Sequence, residues 1–207
     1  MINVLIVEDQ RMIRETMEKY ITQCEGYHLA GSLSGAGSAE LFCSLEKVDL
    51  VLMDVCTENG ESGFEAAKSI KEHFPLTKVI IVTSMLDAGY LDRAREAGAD
   101  SIWFKDASPT ELMAVVEQTV SGISVYPDKT PQVMIGNASS YDFTEAEIKV
   151  LRLLVEGMTY REMADTLNLS VETIKSHVGS MLKKTGFTSK TKLAAMVISK
   201  RLIVSGY

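Results

Sequence analysis

Five short apolar runs recur through the first 121 residues: INVLIV (2–7), HLAGSL (28–33), DLVLM (49–53), KVIIV (78–82) and SIWF (101–104). Several have almost no polar alternation, so both of their faces must be covered, as happens to strands in a parallel sheet and rarely elsewhere. The segments between them have helical periodicity. Ile13, Met17, Tyr20, Ile21 and Cys24 recur at i, i+4, i+7, i+8 and i+11 and predict one apolar helix face. The last segment opens Ser108-Pro109-Thr110-Glu111, a capping box with proline at the first helical position. Strands that alternate with helices over residues 1–121 predict a doubly wound, five-stranded parallel α/β domain, whose sites form at the carboxyl ends of the strands.

Residues 122–140, GISVYPDKTPQVMIGNASS, carry two prolines and two glycines and hold no sustained period, which predicts a linker. From 141 to 207 the pattern is helical. Thr144 and Glu147 form a capping box ahead of Ile148, Leu151 and Val155, with Gly157 as a stop. A short helix from Tyr160 to about Leu167, the turn Asn168-Leu169-Ser170, a helix from Val171 to about Lys184 and a fourth from Ser189 to about Leu202 follow. The overall charge of −7 conceals a partition between these pieces. Residues 1–140 hold 11 Lys+Arg against 21 Asp+Glu, and residues 141–207 hold 10 against 7. An acidic module followed by a basic one suggests that the second meets a polyanion.

No apolar run reaches the ~18 residues needed to span a bilayer, and the amino terminus has acids where a signal peptide would be basic, so a cytoplasmic protein is expected. Cys24, Cys43 and Cys56 are widely spaced and without a C-x-x-C pair, which predicts small core residues instead of a disulfide framework or zinc site.

Carboxylates cluster at strand ends. Glu8 and Asp9 follow the first strand and Asp54 the third, and these strands are neighbours across the switch point of a doubly wound sheet. Thr83 ends the fourth strand and Lys105 the fifth, bringing a hydroxyl and a cation to the same rim. Hard oxygen ligands of this kind suit Mg²⁺, and a metal with a lysine would neutralise a phosphoryl group moving onto Asp54. On these residues the first 121 positions resemble the receiver domain of bacterial two-component response regulators, a flavodoxin-like fold. The resemblance implies Mg²⁺ held by Glu8, Asp9, Asp54 and the main-chain carbonyl of Cys56. It makes Asp54 the phosphoacceptor of a sensor histidine kinase, Thr83 the switch hydroxyl and Lys105 the phosphoryl partner. Two features depart from the family. Glu58 stands where a proline is usual, and Gly63 comes nine residues after Asp54 instead of eight, which lengthens an acidic Thr57–Ser62 loop. Ile102 stands where an aromatic switch residue is usual, with Trp103 beside it as a packing residue.

The basic module carries Tyr160–Gly179 in helix-turn-helix form, with Ser170 as cap of the second helix. Val171, Ile174, Val178, Met181 and Leu182 make its apolar stripe, and Glu172, Ser176, Gly179 and Lys183 lie opposite, with Lys175 at the edge. Residues 143–203 resemble the four-helix LuxR-type DNA-binding domain of the NarL/FixJ class, through the T-E-x-E opening, G-M-T, the L-x-L-S-x-x-T-I-K-x-H-V core and K-x-G-F. That resemblance places base contacts at Lys175, Ser176 and Gly179 and phosphate contacts at Thr173 and Lys183. Gly179 is a departure, since a longer polar side chain is common there, and His177 reads as structural. Together the two resemblances imply a transcription regulator whose phosphorylation on Asp54 controls homodimerisation and binding to a double-stranded operator; a regulator of the same architecture that works without phosphorylation is the alternative. An aspartyl-phosphate phosphatase would place a second acid two residues after its nucleophile, where this chain has Cys56.

Overall fold

The computed structural model describes residues 1–84, 89–105, 109–128, 130–200 and 202–203. The chain divides between residues 129 and 130 into two compact units. In the first, β1 (Ile2–Val7), α1 (Arg11–Gln23), β2 (Tyr27–Leu33), α2 (Ala39–Leu45), β3 (Leu50–Asp54), α3 (Gly63–His73), β4 (Lys78–Thr83), α4 (Gly89–Glu96), β5 (Ser101–Phe104) and α5 (Pro109–Val120) alternate. The strands form one parallel sheet in the order β2-β1-β3-β4-β5, with the switch point between β1 and β3. Strand alternation sends Val4, Ile6, Leu50, Leu52, Ile80, Val82 and Trp103 to one face, where Met17 and Ile21 of α1 and Leu112, Val115 and Val116 of α5 cover them. Their neighbours Leu5, Val7, Val51, Met53, Val79, Ile81 and Ile102 are as deeply buried on the other face, where α3 packs on β3 and β4, and α4 on β5. Continuous apolar runs are therefore what this sheet requires.

The strand spans match the sequence expectation to within a residue, and the extra residues at β3 and β4 are Asp54 and Thr83 themselves. The capping-box serine expected at 108 lies outside the described residues; Glu111 stands in the first turn of α5. Of the cysteines expected in the core, Cys43 is buried, and burial pushes its thiol up to about 11. Cys24 and Cys56 are only half-buried, because Cys24 caps α1 and Cys56 lies in a loop.

Described residues of the segment expected to be a linker make ordered contacts on either side of position 129. Val125 donates to Ser101 Oγ (2.9 Å) and accepts from the Ile102 N–H (3.0 Å), so this stretch runs beside β5. Farther on, β6 (Met134–Ile135) and β7 (Ala138–Ser139) form a hairpin across Gly136-Asn137. Gly136 takes φ +63, and a Cβ there would run into the Thr185 carbonyl. Ile135 and Ala138 are buried, so two apolar residues too few to show a period still anchor the segment.

In the second unit α6 (Glu145–Val155), α7 (Tyr160–Leu167), α8 (Val171–Thr185) and α9 (Lys190–Ser199) start on side-chain caps from Thr144, Thr159, Ser170 and Ser189. The fourth helix was expected to reach about Leu202. It stops at Ser199, and the Leu202 N–H returns to the Val197 carbonyl (3.1 Å), which buries Leu202 and Ile203. Among the described residues no helix is long and apolar enough to cross a membrane.

Glu147 links the caps to the core of this unit. Its carboxylate accepts from the Thr144 N–H (2.8 Å), Ser180 Oγ (2.8 Å) and Lys184 Nζ (2.6 Å). Burial pushes its pKa up, but these three donors outweigh burial and hold it at about 2. Its folded pKa is thus below its unfolded one, so the stability it contributes is present above about pH 4.5 and is lost as pH falls toward 2. Lys184→Met should cost the second unit about 1–3 kcal/mol at pH 7 and flatten this acid dependence. Urea unfolding followed at pH 7 and pH 3 measures both, and equal losses at the two pH values would contradict it.

Candidate functional site

The β1 carboxyl end delivers Glu8 and Asp9, and β3 delivers Asp54 as its last residue; the two strands are paired through Val7 and Met53. One carboxylate oxygen from each of the three lies within 4.8 Å of the others. Glu8 and Asp54 are 0% and 5% exposed. Lys105, immediately after β5, places Nζ 2.5 Å from Glu8 Oε2 and 2.9 Å from Asp54 Oδ2. Asp54 Oδ1 accepts from the Val55 N–H (2.8 Å), and Glu8 Oε1 from the Gln10 N–H (3.1 Å). Thr83 ends β4 with its side chain buried, and its carbonyl accepts from the Lys105 N–H (2.8 Å). Cys56 faces Ser62 in a one-residue antiparallel bridge. The structure thus gathers the three acids and the lysine, with Thr83 and Cys56 on the adjoining chain ends.

Two of the three carboxylates, Glu8 and Asp54, share the Lys105 ammonium. Burial, opposed by Lys105 and reinforced by repulsion from Glu8 and Asp9, pushes the Asp54 carboxyl well above the usual carboxylate range. Asp9 Oδ1 is buried and, among the described residues, has no hydrogen-bond partner. A buried orphan oxygen beside two more carboxylates is a donor set suited to a small hard cation. Arg14, in the first turn of α1, donates from Nη1 to the Glu8 carbonyl at 2.5 Å and reaches the Asp9 carbonyl at 3.4 Å, pinning the loop that carries both acids. Arg14 leaves no mark in the sequence, since an arginine in a helical first turn has no distinctive spacing.

Ile102 is 2% exposed and pairs with Ile81, and Trp103 sits in the α1–α5 core, its buried indole N–H without a hydrogen-bond partner among the described residues. Trp103 is therefore the packing residue expected.

In the second unit α7, a turn with Asn168 at φ +53, and α8 make the helix-turn-helix. Ile174, Val178 and Met181 of α8 are buried, whereas Val171 and Leu182 are half-buried at the stripe's margins. Lys175, Ser176, Gly179 and Lys183 are exposed along the other side, and a Cβ on Gly179 would meet nothing within 4 Å. Lys175 Nζ is paired with Glu172 Oε1 at 2.9 Å. Thr173 differs from the rest: it is half-buried, its N–H bonds to Ser170 Oγ (3.0 Å) and its hydroxyl lies 2.8 Å from that atom, so it is engaged in the helix cap. His177 is half-buried beside the stripe.

A parallel 2-1-3-4-5 sheet with an acidic cluster at its switch point, followed by a helix-turn-helix unit, defines a class of signalling protein. Residues 4–117 match the family described as response regulator receiver domain, and residues 142–197 match the bacterial regulatory proteins of the luxR family. The chain belongs to the response regulators, with a receiver domain and a LuxR-type DNA-binding domain. Response regulator protein VraR of Staphylococcus aureus is 30% identical over 212 residues, covering 98% of this chain and 99% of that protein. VraR of Staphylococcus epidermidis is 29% identical over 210 residues, with the same coverage. Among solved structures, two RcsB dimers bound to two parallel DNAs match with a TM-score of 0.64 at 22% identity over 96% of this chain and 98% of that one. RcsB of Salmonella enterica serovar Typhimurium bound to promoter rprA matches at 0.62 and 22%, over 96% and 99%. At such identity these structures establish the fold alone.

Proposed function

We propose that the protein is a cytoplasmic transcription regulator in which a sensor histidine kinase phosphorylates Asp54, and that this controls homodimerisation and operator binding by the C-terminal domain. The observation that carries the reading is the convergence of Glu8, Asp9, Asp54 and Lys105 at the switch point. Glu8, Asp9, Asp54 and the Cys56 carbonyl would hold Mg²⁺, and the buried unpartnered Asp9 Oδ1 supports that assignment. Bound there, Mg²⁺ supplies positive charge against the phosphoryl oxygens. Asp54 attacks the phosphorus of a phosphohistidine; the new P–O bond forms as the P–N bond breaks, and the departing histidine nitrogen keeps the electron pair. Lys105, released from carboxylate pairing, meets the transferred phosphoryl oxygens, and the Thr83 hydroxyl takes up the new acceptor. Incubation with acetyl phosphate and Mg²⁺ should add one phosphate by intact mass; an adduct that persists in Asp54→Ala, or in chelator, would overturn the assignment. The phosphorylation-independent alternative draws support from Ile102, which has no ring to swing, and its mark is equal DNA affinity with and without a phosphoryl analogue.

The relatives that stand on DNA as dimers support two copies of α8 entering successive major grooves, with α9 contributing to the dimer. In this reading Lys175, Ser176 and Gly179 face base edges, while Lys183 and Thr173 meet phosphates, Thr173 through the cap it shares with Ser170. Lys175→Ala should cost about 1–3 kcal/mol and relax one base position per half-site, because it removes donors to guanine O6 and N7. Lys183→Ala should weaken all sequences alike and reduce the salt slope by about one. Fluorescence anisotropy on operator variants at several salt concentrations separates the two effects; identical behaviour of both variants would refute the division of roles.

A further inference from the structure

The acidic loop after Asp54, one residue longer than its relatives' pattern, contributes neither Glu58 nor Glu61 to the carboxylate cluster, which comprises Glu8, Asp9 and Asp54 among the described residues. Both glutamates turn toward the Ser34–Gly37 stretch that follows β2. Glu61 Oε2 accepts from the Gly37 N–H at 2.7 Å, and Glu58 Oε2 accepts from Ser34 Oγ at 2.7 Å. Thr57, 4% exposed, accepts from the Ala36 N–H at 2.9 Å and donates to the Glu61 carbonyl at 3.1 Å. The Glu58 N–H returns to the Ser34 carbonyl at 3.3 Å. The glycines fit this contact: a Cβ on Gly35 would lie 2.7 Å from Glu61 Oε2, and one on Gly37 would lie 2.7 Å from Glu61 Oε1. Asn59 and Gly60 take positive φ, and the Cys56–Ser62 bridge closes the loop at its base.

We propose that Glu61 is a positioning residue for the divalent cation: by clamping the Thr57–Ser62 loop to the Gly35–Gly37 backbone, it fixes the Cys56 main chain between Asp54 and the clamp. The inference rests on the proposed Mg²⁺ site at Asp54. Cys56 is two residues from Asp54 and one from Thr57, so any slack in the loop is transmitted directly to its carbonyl. A side chain that orients a metal ligand through backbone contacts raises affinity by removing the ordering cost from the binding step.

The test is a Mg²⁺ titration of the full chain by calorimetry, with thermal unfolding in chelator recorded for every variant. Glu61→Ala should raise the Mg²⁺ concentration at half-saturation about tenfold. Glu61→Gln keeps an oxygen that accepts from Gly37 and should stay near the wild-type value. Gly37→Ala crowds the clamp from its other side and should weaken binding in the same direction as Glu61→Ala. An unchanged half-saturation in Glu61→Ala and Gly37→Ala, while the wild type binds and Asp54→Asn does not, would overturn the inference and leave the Mg²⁺ site standing. So would an equal loss in Glu61→Gln, or a fall in melting temperature without a change in Mg²⁺ affinity. Absence of binding in the wild type would overturn the metal site itself.

Discussion

Lys105→Met should lose about 3–5 kcal/mol of receiver stability in chelator, because it leaves Glu8 and Asp54 buried without the ammonium that contacts both. A partial escape is open to it: Asp54, already pushed upward by burial, can take a proton. Phosphate uptake from acetyl phosphate should fall by about 10²-fold or more even at saturating Mg²⁺, as expected for removal of a preorganised donor to transferring oxygens. The stability loss should shrink when Mg²⁺ is added, since a cation among the three acids replaces part of the missing charge. Chemical unfolding with and without Mg²⁺, read beside intact mass after phosphodonor, distinguishes these effects. Stability unchanged in chelator would mean that the carboxylates are not held as a desolvated cluster.

Gly63→Ala should also be damaging, through sterics alone. Gly63 opens α3 with its N–H on the Val55 carbonyl (2.9 Å), and its α-carbon passes so near Asp54 that a methyl group would overlap the Asp54 carbonyl oxygen and lie 3.1 Å from Met53 Cγ. Both obstacles are central: one is backbone of the strand carrying Asp54, the other a fully buried side chain. Overpacking of this kind costs about 1–3 kcal/mol where neighbours yield, and the backbone neighbour here places the expectation at the upper end. Gly179→Ala, at an exposed position of α8 with open space around the new methyl, should go the other way by about 0.5–1 kcal/mol. Thermal unfolding of the two variants gives the comparison, and a neutral Gly63→Ala would show that the strand end can give way. The added methyl should also displace Asp54 and lower phosphate uptake.

Much of this molecule is legible in its sequence. The five apolar runs demand a sheet covered on both faces, and that requirement is local: each run is buried wherever its neighbours lie, so its residues alone carry the information. The acids at 8, 9 and 54 and the lysine at 105 could be brought together on paper because strand ends in a doubly wound sheet share one rim. The caps at Thr144, Ser170 and Ser189 were equally local, each bonding a backbone N–H three residues away.

The tertiary structure decided what depends on distances between remote residues. The Glu58 and Glu61 side chains read in the sequence only as part of an acidic loop; they face Ser34 and Gly37, more than twenty residues away, where hydroxyl and backbone N–H donors compensate them. The hairpin at 134–139 was hidden in a stretch rich in turn residues, because two buried side chains cannot set up a period. Arg14 on the Glu8 carbonyl, and Glu147 on Lys184, likewise have no mark in the local pattern. The physical reason is common to these cases. Helix, strand and cap preferences are set by neighbours within a turn or two of chain, whereas the partner of a buried charge is whichever group the packed fold brings within about 3 Å of it.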